Sequence, residues 1–134
     1  MTARTRREGG FSLVELLVVI IIIGVLAAIA VPLYLNQQAK ANDSAAQEDV
    51  RVMAQAIRGA LETEPDLPGL TWAGRTYSVN GERGGTLSPG VVFGQMTGTS
   101  MYNWCVDVTH PNGKVAQSPG YKYSAEDGLE PGAC

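Results

Sequence analysis

The spacing of hydrophobic positions changes twice along this chain, and each change marks a different kind of structure. From Leu16 to Leu35 no side chain carries a charge or an amide. An apolar run of about 20 residues has the length of a helix that crosses a bilayer. Further along, apolar residues recur every three or four positions, and beyond Pro65 they alternate in short runs between turns. These patterns predict an α+β protein in which one long helix precedes a β-rich domain.

Residues 36–63 are predicted to form the second, amphipathic half of that helix, outside the membrane. Its apolar stripe consists of Ala39, Ala46, Val50, Met53, Ile57 and Leu61. Spacings of three and four place these residues on one face of a helix. Pro65 and Pro68 then end the pattern. We therefore expect one helix from Phe11 to about Glu62, with the stripe packed on the domain that follows.

Residues 64–134 carry the signals of a small antiparallel sheet of three to five strands. The strand candidates are Arg75–Val79, Val91–Gln95, Tyr102–Thr109, Lys114–Gln117 and Gly120–Ser124. Two Asn-Gly pairs, Asn80-Gly81 and Asn112-Gly113, stand next to these runs, and such pairs are the strongest short-range hairpin signal. The sequence predicts a β-rich globular head against which the helix stripe packs.

Charge on either side of the apolar run predicts its orientation. Arg4, Arg6 and Arg7 precede the run, whereas acidic residues dominate the rest of a chain whose formal net charge is −3. Positive charge favours the cytoplasmic side of a membrane helix. We expect a single-pass membrane protein with its N-terminus in the cytoplasm and its C-terminus outside. The acidic remainder does not favour broad contact with nucleic acid, although DNA binding at a local patch is possible.

Three explanations compete for the N-terminal segment. A secretory signal peptide would have a shorter apolar core and a cleavage site after it, which the residues Ala27 to Ala30 imitate. A plain signal anchor explains the length and the charge, but not the carboxylate of Glu15. A carboxylate in a membrane helix costs about 2.5–3.5 kcal/mol at the bilayer centre and is usually retained because it has a partner.

The third explanation comes from the motif itself. The residues Gly10-Phe11-Ser12-Leu13-Val14-Glu15, followed by a long apolar helix, resemble the prepilin motif of type IV pilins and pseudopilins, which carry a class III signal peptide. The resemblance implies that a prepilin peptidase removes residues 1–10 by cutting between Gly10 and Phe11, and then N-methylates Phe11. It also places the family's glycine and proline at Gly24 and Pro32. Ser12 departs mildly from the threonine that is more usual there.

The resemblance implies a structural filament subunit that polymerises through residues 11–35. Its partners would be copies of itself or other pilins, the peptidase, an assembly platform with its ATPase, and membrane lipid before assembly. The assembled filament would lie at the cell surface. One alternative is a pseudopilin of a type II secretion or DNA-uptake machine. Another is a single-pass membrane anchor that carries an extracellular binding module.

The residues themselves supply a chemical reason for this use of the segment. Cleavage would expose an ammonium group at Phe11, about one helical turn from Glu15. The two charges can neutralise each other within a subunit or between neighbours, so that a subunit out of register leaves a buried charge unpaired. Gly24 and Pro32 weaken the helix between them, because Pro32 removes a backbone hydrogen bond and clashes with the preceding turn.

Two cysteines, Cys105 and Cys134, lie in the last third of the chain. An even pair in a domain outside the membrane predicts a disulfide, the alternative being two free thiols in a reducing compartment. The resemblance implies the same bond, since pilins often close their C-terminal region in this way. Closure of the loop would contribute about 3–4 kcal/mol.

No set of residues in the sequence has the composition and spacing of a catalytic site, and we expect neither an enzyme nor a cofactor. His110 is the only histidine and precedes a proline, so we expect a solvated turn residue. Glu126, Asp127 and Glu130 are acidic residues of the kind that bind Ca²⁺. Their spacing is not that of a regular calcium loop, so we predict no metal site.

Overall fold

The structure is a computed structural model that describes residues 9–134, and these residues form two compact units. The first unit ends at Asn36, and the second spans Gln37–Cys134. Residues 1–8, most of the predicted leader peptide, lie outside the described residues. Each unit is taken by itself below.

One helix, α1, spans Leu13–Thr63 and contributes to both units. Its bounds agree closely with the sequence prediction. In the first unit every large apolar side chain from Phe11 to Leu35 is exposed, with exposed fractions from 46% at Leu17 to 89% at Phe11. This part of α1 is long and apolar enough to cross a membrane, and none of it is buried within the chain. The first unit therefore presents an apolar helix surface that its own chain does not cover.

The part of α1 in the second unit buries its apolar stripe, together with Asp43 and Ala54. Ala46, Val50, Met53, Ile57 and Leu61 all belong to the hydrophobic core, as the spacing predicts. Ile57 has no exposed surface. Burial of such side chains contributes about 1.5–3 kcal/mol each, which fixes this half of the helix to the head.

The head contains seven strands. They are β1 Leu70–Ala73, β2 Thr76–Val79, β3 Glu82–Thr86, β4 Val92–Ser100, β5 Asn103–Thr109, β6 Tyr121–Ser124 and β7 Gly128–Pro131. Strands β1 to β3 form one antiparallel sheet, and β4 to β7 form a second, each with its strands in chain order. The antiparallel α+β class is as predicted, but the prediction of a single sheet of three to five strands is wrong.

Turn chemistry explains one correct and one wrong hairpin prediction. Asn80 and Gly81 have positive φ angles of 51° and 82°, and they join β2 to β3 as an Asn-Gly hairpin turn does. The second pair, Asn112-Gly113, does not join two strands, and the predicted strand Lys114–Gln117 is a turn. Its backbone N–H groups bind a side chain of α1 instead of a neighbouring strand.

Strands β1, β3 and β7 were not predicted, and two of them, β3 and β7, contain residues of low β-propensity. Strand β3 contains Gly84 and Gly85, which lie against the ring of Tyr77. A Cβ atom at Gly84 would come within 2.4 Å of the Tyr77 Cε2 atom, so the buried tyrosine requires glycine there. Strand β7 contains glycine and proline but pairs with β6 over its whole length. Tertiary packing overrides the local preference in both cases.

Candidate functional site

The segment in front of α1 contains the predicted cleavage site. Gly9, Gly10, Phe11 and Ser12 are exposed and not helical. Within residues 9–134, no atom outside the neighbouring residues would lie within 4 Å of a Cβ atom placed on Gly9 or Gly10. No other part of the described chain therefore crowds these two glycines. Cleavage there and methylation of Phe11 stay predictions.

Ser12 and Glu15 form a reciprocal pair of hydrogen bonds at the start of α1. The Ser12 N–H donates to Glu15 Oε2 at 2.9 Å, and the Glu15 N–H donates to Ser12 Oγ at 3.2 Å. The Ser12 carbonyl accepts from the Leu16 N–H at 3.2 Å, which makes Ser12 the N-cap residue. This arrangement is a capping box. Glu15 thus has a partner in its own chain while the leader is still attached.

The capping role of Ser12 was not recognised from the sequence, although the signal was present. A serine followed three residues later by glutamate, just before an apolar run, is the sequence signature of a capping box. The resemblance to prepilins gives Glu15 a partner in the ammonium group of Phe11. It assigns Ser12 only the position of a threonine, which has the same hydroxyl.

Gly24 and Pro32 both lie within α1, and the helix continues through them without interruption. Both are exposed. No atom of another part of the described chain would contact a Cβ atom at Gly24. Their predicted role as weak points of the helix concerns a packed filament and stays a prediction.

Asp43 is a second residue whose function the sequence did not reveal. It is 8% exposed, and its Oδ1 atom accepts hydrogen bonds from the backbone N–H groups of Lys114, Val115 and Ala116 at 2.8–3.0 Å. The neighbouring Asn42 donates from Nδ2 to the Asn112 carbonyl at 3.0 Å. One turn of α1 therefore holds the loop between β5 and β6. No local pattern joins residues so distant in sequence.

His110 is not the solvated turn residue that the sequence predicted, because it is only 4% exposed. Its Nδ1 atom accepts from the Asn112 N–H at 3.1 Å, so the proton of the neutral ring is on Nε2. Nε2 then donates to the Pro89 carbonyl at 3.2 Å. The ring connects two loops of the head and is structural.

The C-terminus of the chain is held to β5 at two positions. A disulfide joins Cys105 and Cys134, as predicted. The buried Asp107, two residues after Cys105 on β5, accepts the Cys134 N–H on Oδ2 at 2.7 Å and the Gln95 N–H on Oδ1 at 2.9 Å. The covalent bond and the hydrogen bonds together fix the last residue on the sheet.

The three acidic residues near the C-terminus have different surroundings. Glu126 and Asp127 are exposed, and Glu130 lies 3.7 Å from the Lys122 ammonium on the neighbouring strand. Within residues 9–134 no group of three or more potential ligands could hold a metal ion. The geometry of the described residues thus adds no support for calcium at this end of the head.

Tyr77 lies under β3 with 1% of its surface exposed. Among the side chains of residues 9–134, its hydroxyl is the buried polar group without a hydrogen-bond partner. Burial raises the pKa of Tyr77 above its ordinary value of 10.0, and the negative charge of Asp49 raises it further. Asp49 itself accepts hydrogen bonds from the N–H and hydroxyl of Ser88.

Comparison with known proteins identifies the segment that holds Gly10, Phe11 and Glu15. The family model described as the prokaryotic N-terminal methylation motif matches residues 5–31. Over 52 residues the chain is 36% identical to the type II secretion system core protein G of Pseudomonas aeruginosa. Over 50 residues it is 42% identical to the type IV major pilin protein PilA of Myxococcus xanthus. This N-terminal region carries the prokaryotic N-terminal methylation motif and is similar to the corresponding region of type IV pilins and of a type II secretion system core protein.

The pilin resemblance is concentrated at the N-terminus. The two matches cover 39% and 37% of this chain, and the chain spans only 37% and 23% of the length of those relatives. One longer match, 34% identical over 108 residues, is to the type IV major fimbrial protein FimA of Dichelobacter nodosus, and it covers 75% of this chain and 65% of FimA. No solved structure matches the chain significantly.

Proposed function

We propose that this chain is a structural subunit of a type IV pilus-like filament. The observation that carries the proposal is the uncovered apolar surface from Phe11 to Leu35, most of which lies within the N-terminal methylation motif matched over residues 5–31. Twenty or so exposed apolar residues are not stable in water, so a bilayer or other helices must cover them. A filament of packed copies supplies that cover after the subunit leaves the membrane.

The proposed order of events follows from the segment. The precursor is held in the membrane by residues 11–35, with the basic leader in the cytoplasm and the head outside. A prepilin peptidase then cuts between Gly10 and Phe11 and methylates Phe11. The released ammonium at Phe11 and the carboxylate of Glu15 neutralise each other, and the helix enters the filament core. An assembly platform with its ATPase would supply the work of extraction from the membrane.

The role proposed for the head is structural rather than catalytic. Its buried polar groups, Asp43, Asp107 and His110, bind backbone groups of the head itself. Such contacts make a rigid body that can be displayed on a filament at the cell surface. The disulfide fits this location, because such bonds persist in oxidising compartments.

A pseudopilin of a type II secretion machine is the second candidate. The observation that favours it is the similarity to proteins named type II secretion system core protein G, in Pseudomonas aeruginosa and in Aeromonas hydrophila. Both candidates share cleavage, methylation and polymerisation. They differ in the final product, which is a filament at the cell surface for a pilin and a part of a secretion machine for a pseudopilin.

The intact mass of the mature protein tests the proposal. Protein purified from the cell envelope should lack residues 1–10 and carry one additional methyl group. Shearing of the cells should release it in filaments if the chain is a pilin, and should leave it with the cells if it is a pseudopilin. Assembled material that retains the leader would disprove both candidates and favour an uncleaved membrane anchor.

The neighbouring glycines provide a matched pair of variants for the same experiment. Gly10→Val places a side chain at the bond to be cut and should leave the full-length precursor in the membrane. Gly9→Val makes the same change one residue earlier, and the mature mass should still appear. Equal processing of the two variants would argue against cleavage between Gly10 and Phe11.

A further inference from the structure

We propose that Ser12 is a positioning residue that holds the Glu15 carboxylate beside the bond to be cut, before the cut is made. This inference rests on the proposed processing at Gly10–Phe11 and deepens it. Its basis is the capping box, in which each of the two residues binds the backbone N–H of the other. The pairing exists in a chain that still carries residues preceding Phe11.

The geometry places the carboxylate where the new charge appears. Glu15 Oε2 lies 2.9 Å from the Ser12 nitrogen, and the Phe11 nitrogen is the next one along the backbone. Consecutive backbone nitrogens lie about 3–4 Å apart. Once the Gly10–Phe11 bond is hydrolysed, a small rotation of the Glu15 side chain brings its carboxylate against the ammonium of Phe11. The Glu15 side chain therefore does not have to leave its ordered conformation to reach its new partner.

The same pairing gives Glu15 a partner in the uncleaved precursor. A carboxylate at the head of an apolar helix is costly when nothing satisfies it. In the precursor its Oε2 atom accepts the Ser12 N–H, so the group is satisfied before any ammonium exists. Glu15 therefore has two successive partners in its own chain, first the Ser12 amide and then the Phe11 ammonium.

Three substitutions of Ser12 separate the hydroxyl from the shape of the side chain. Ser12→Thr keeps the hydroxyl, Ser12→Val has the shape of threonine without it, and Ser12→Ala removes it with the least change in volume. Glu15→Gln is a fourth variant, because glutamine still accepts the Ser12 N–H but has no charge. All four leave the Gly10–Phe11 bond intact.

The first measurement is made on the full-length precursor in detergent micelles. Hydrogen exchange of the Ser12 amide should be slow in the natural sequence, in Ser12→Thr and in Glu15→Gln. It should be about fivefold faster in Ser12→Val and Ser12→Ala, which is the usual effect of the loss of an N-cap. Equal exchange in the threonine and valine variants would overturn the capping box.

The second measurement is made on the mature chain, which begins at Phe11, at less than one chain per micelle. A carbodiimide activates the Glu15 carboxylate, and attack by the Phe11 amine then forms an amide with the loss of one water. The mass of the proteolytic fragment that contains both Phe11 and Glu15 reports this bond within a single chain, since an amide elsewhere, such as one between Lys122 and Glu130, leaves that fragment unchanged. Its yield should be similar for the natural sequence and Ser12→Thr, and about fivefold lower for Ser12→Val.

The two measurements also separate this inference from the proposed function. One outcome is that cells yield protein of the mature mass while Ser12→Thr and Ser12→Val give equal hydrogen exchange and equal amide yield. That result would remove the positioning role and leave the filament proposal intact. If the Ser12 amide exchanges slowly but cells never process the precursor, the capping box stands and the proposed function is disproved. An equal amide yield in all Ser12 variants would overturn the placement of Glu15 by Ser12.

Discussion

The two halves of α1 have the same backbone structure and opposite relations to the rest of the chain. From Phe11 to Leu35 the large apolar side chains are all exposed, and nothing in the described chain covers them. From Ala46 to Leu61 an apolar stripe is buried, whereas the charged residues Glu48, Arg51 and Arg58 are exposed. The first half requires something outside the chain to cover it, whereas the second half is stabilised within the chain. The difference assigns assembly to one half and the stability of the head to the other.

Truncation of one isoleucine in each half of α1 should show the difference between the halves most strongly. Ile57→Ala leaves a cavity in the core of the head and should cost 2–5 kcal/mol of its unfolding free energy, about the usual range for such a change. Ile22→Ala makes the same chemical change at a side chain that is 54% exposed, and it should leave the head's stability unchanged. Chemical denaturation of the mature chain in detergent, followed by the near-UV signal of the buried Trp104, measures both.

The outcome for assembly should be reversed. Ile22→Ala should reduce the amount of sheared filament relative to the natural sequence, because its side chain lies in the proposed polymerisation surface. Equal losses of head stability for the two variants would contradict the division of α1 into an assembly half and a head-bound half.

Asp43→Ala tests how firmly the second half of α1 holds the head. The three N–H groups that Asp43 binds would lose their acceptor, and we expect a loss of about 3 kcal/mol, since buried donors without a partner are costly. The control is Glu48→Ala, five residues further along. Glu48 makes an exposed ion pair with Arg51, so its loss should cost less than about 0.5 kcal/mol.

Hydrogen exchange locates the effect of Asp43→Ala. The amides of Lys114, Val115 and Ala116 should lose protection before the strands of either sheet do. Protection that remains at these three amides would show that other contacts hold the loop, and that Asp43 is not its anchor.

The comparison of the two halves also shows what the sequence can predict. The extent of α1 and its buried stripe follow from spacing alone, because both depend on residues three and four apart. The hairpin at Asn80-Gly81 follows from the identity of two adjacent residues, because asparagine and glycine readily adopt the positive φ angles that such a turn requires. The capping box also has a local signature. Local pattern is enough wherever the determining contacts are local.

The errors occur where the determining contact is distant in sequence. The segment Lys114–Gln117 has the composition of a strand. Its N–H groups donate instead to Asp43, which lies on a helix about 70 residues away in sequence. His110 looks like a turn residue, but its Nε2 atom binds the Pro89 carbonyl, 21 residues earlier in the chain. Strand β3 looks like a loop until Tyr77 is placed beneath its two glycines. Nothing local records these partners.

The smallest predicted effect concerns the one place where the packing of the head leaves a polar group unsatisfied among the described side chains. Tyr77→Phe removes a buried hydroxyl that has no partner, and it should raise the unfolding free energy by about 1 kcal/mol, since a lone buried hydroxyl is a cost rather than a contact. Tyr102→Phe is the control, because that side chain is 80% exposed and its change should have no effect.

Alkaline pH should separate the same two variants further. The pKa of Tyr77 is raised in the folded head by burial and by Asp49, so the unfolded chain releases this proton more readily than the folded one. Its contribution to stability is complete below a pH of about 10 and is lost as the pH rises through the raised folded value. Denaturation at several alkaline pH values should give a steeper decline for the natural sequence and Tyr102→Phe than for Tyr77→Phe. Parallel declines would show that the Tyr77 hydroxyl is hydrated in solution and that the region under β3 opens to water, unlike the stripe of α1 beside it.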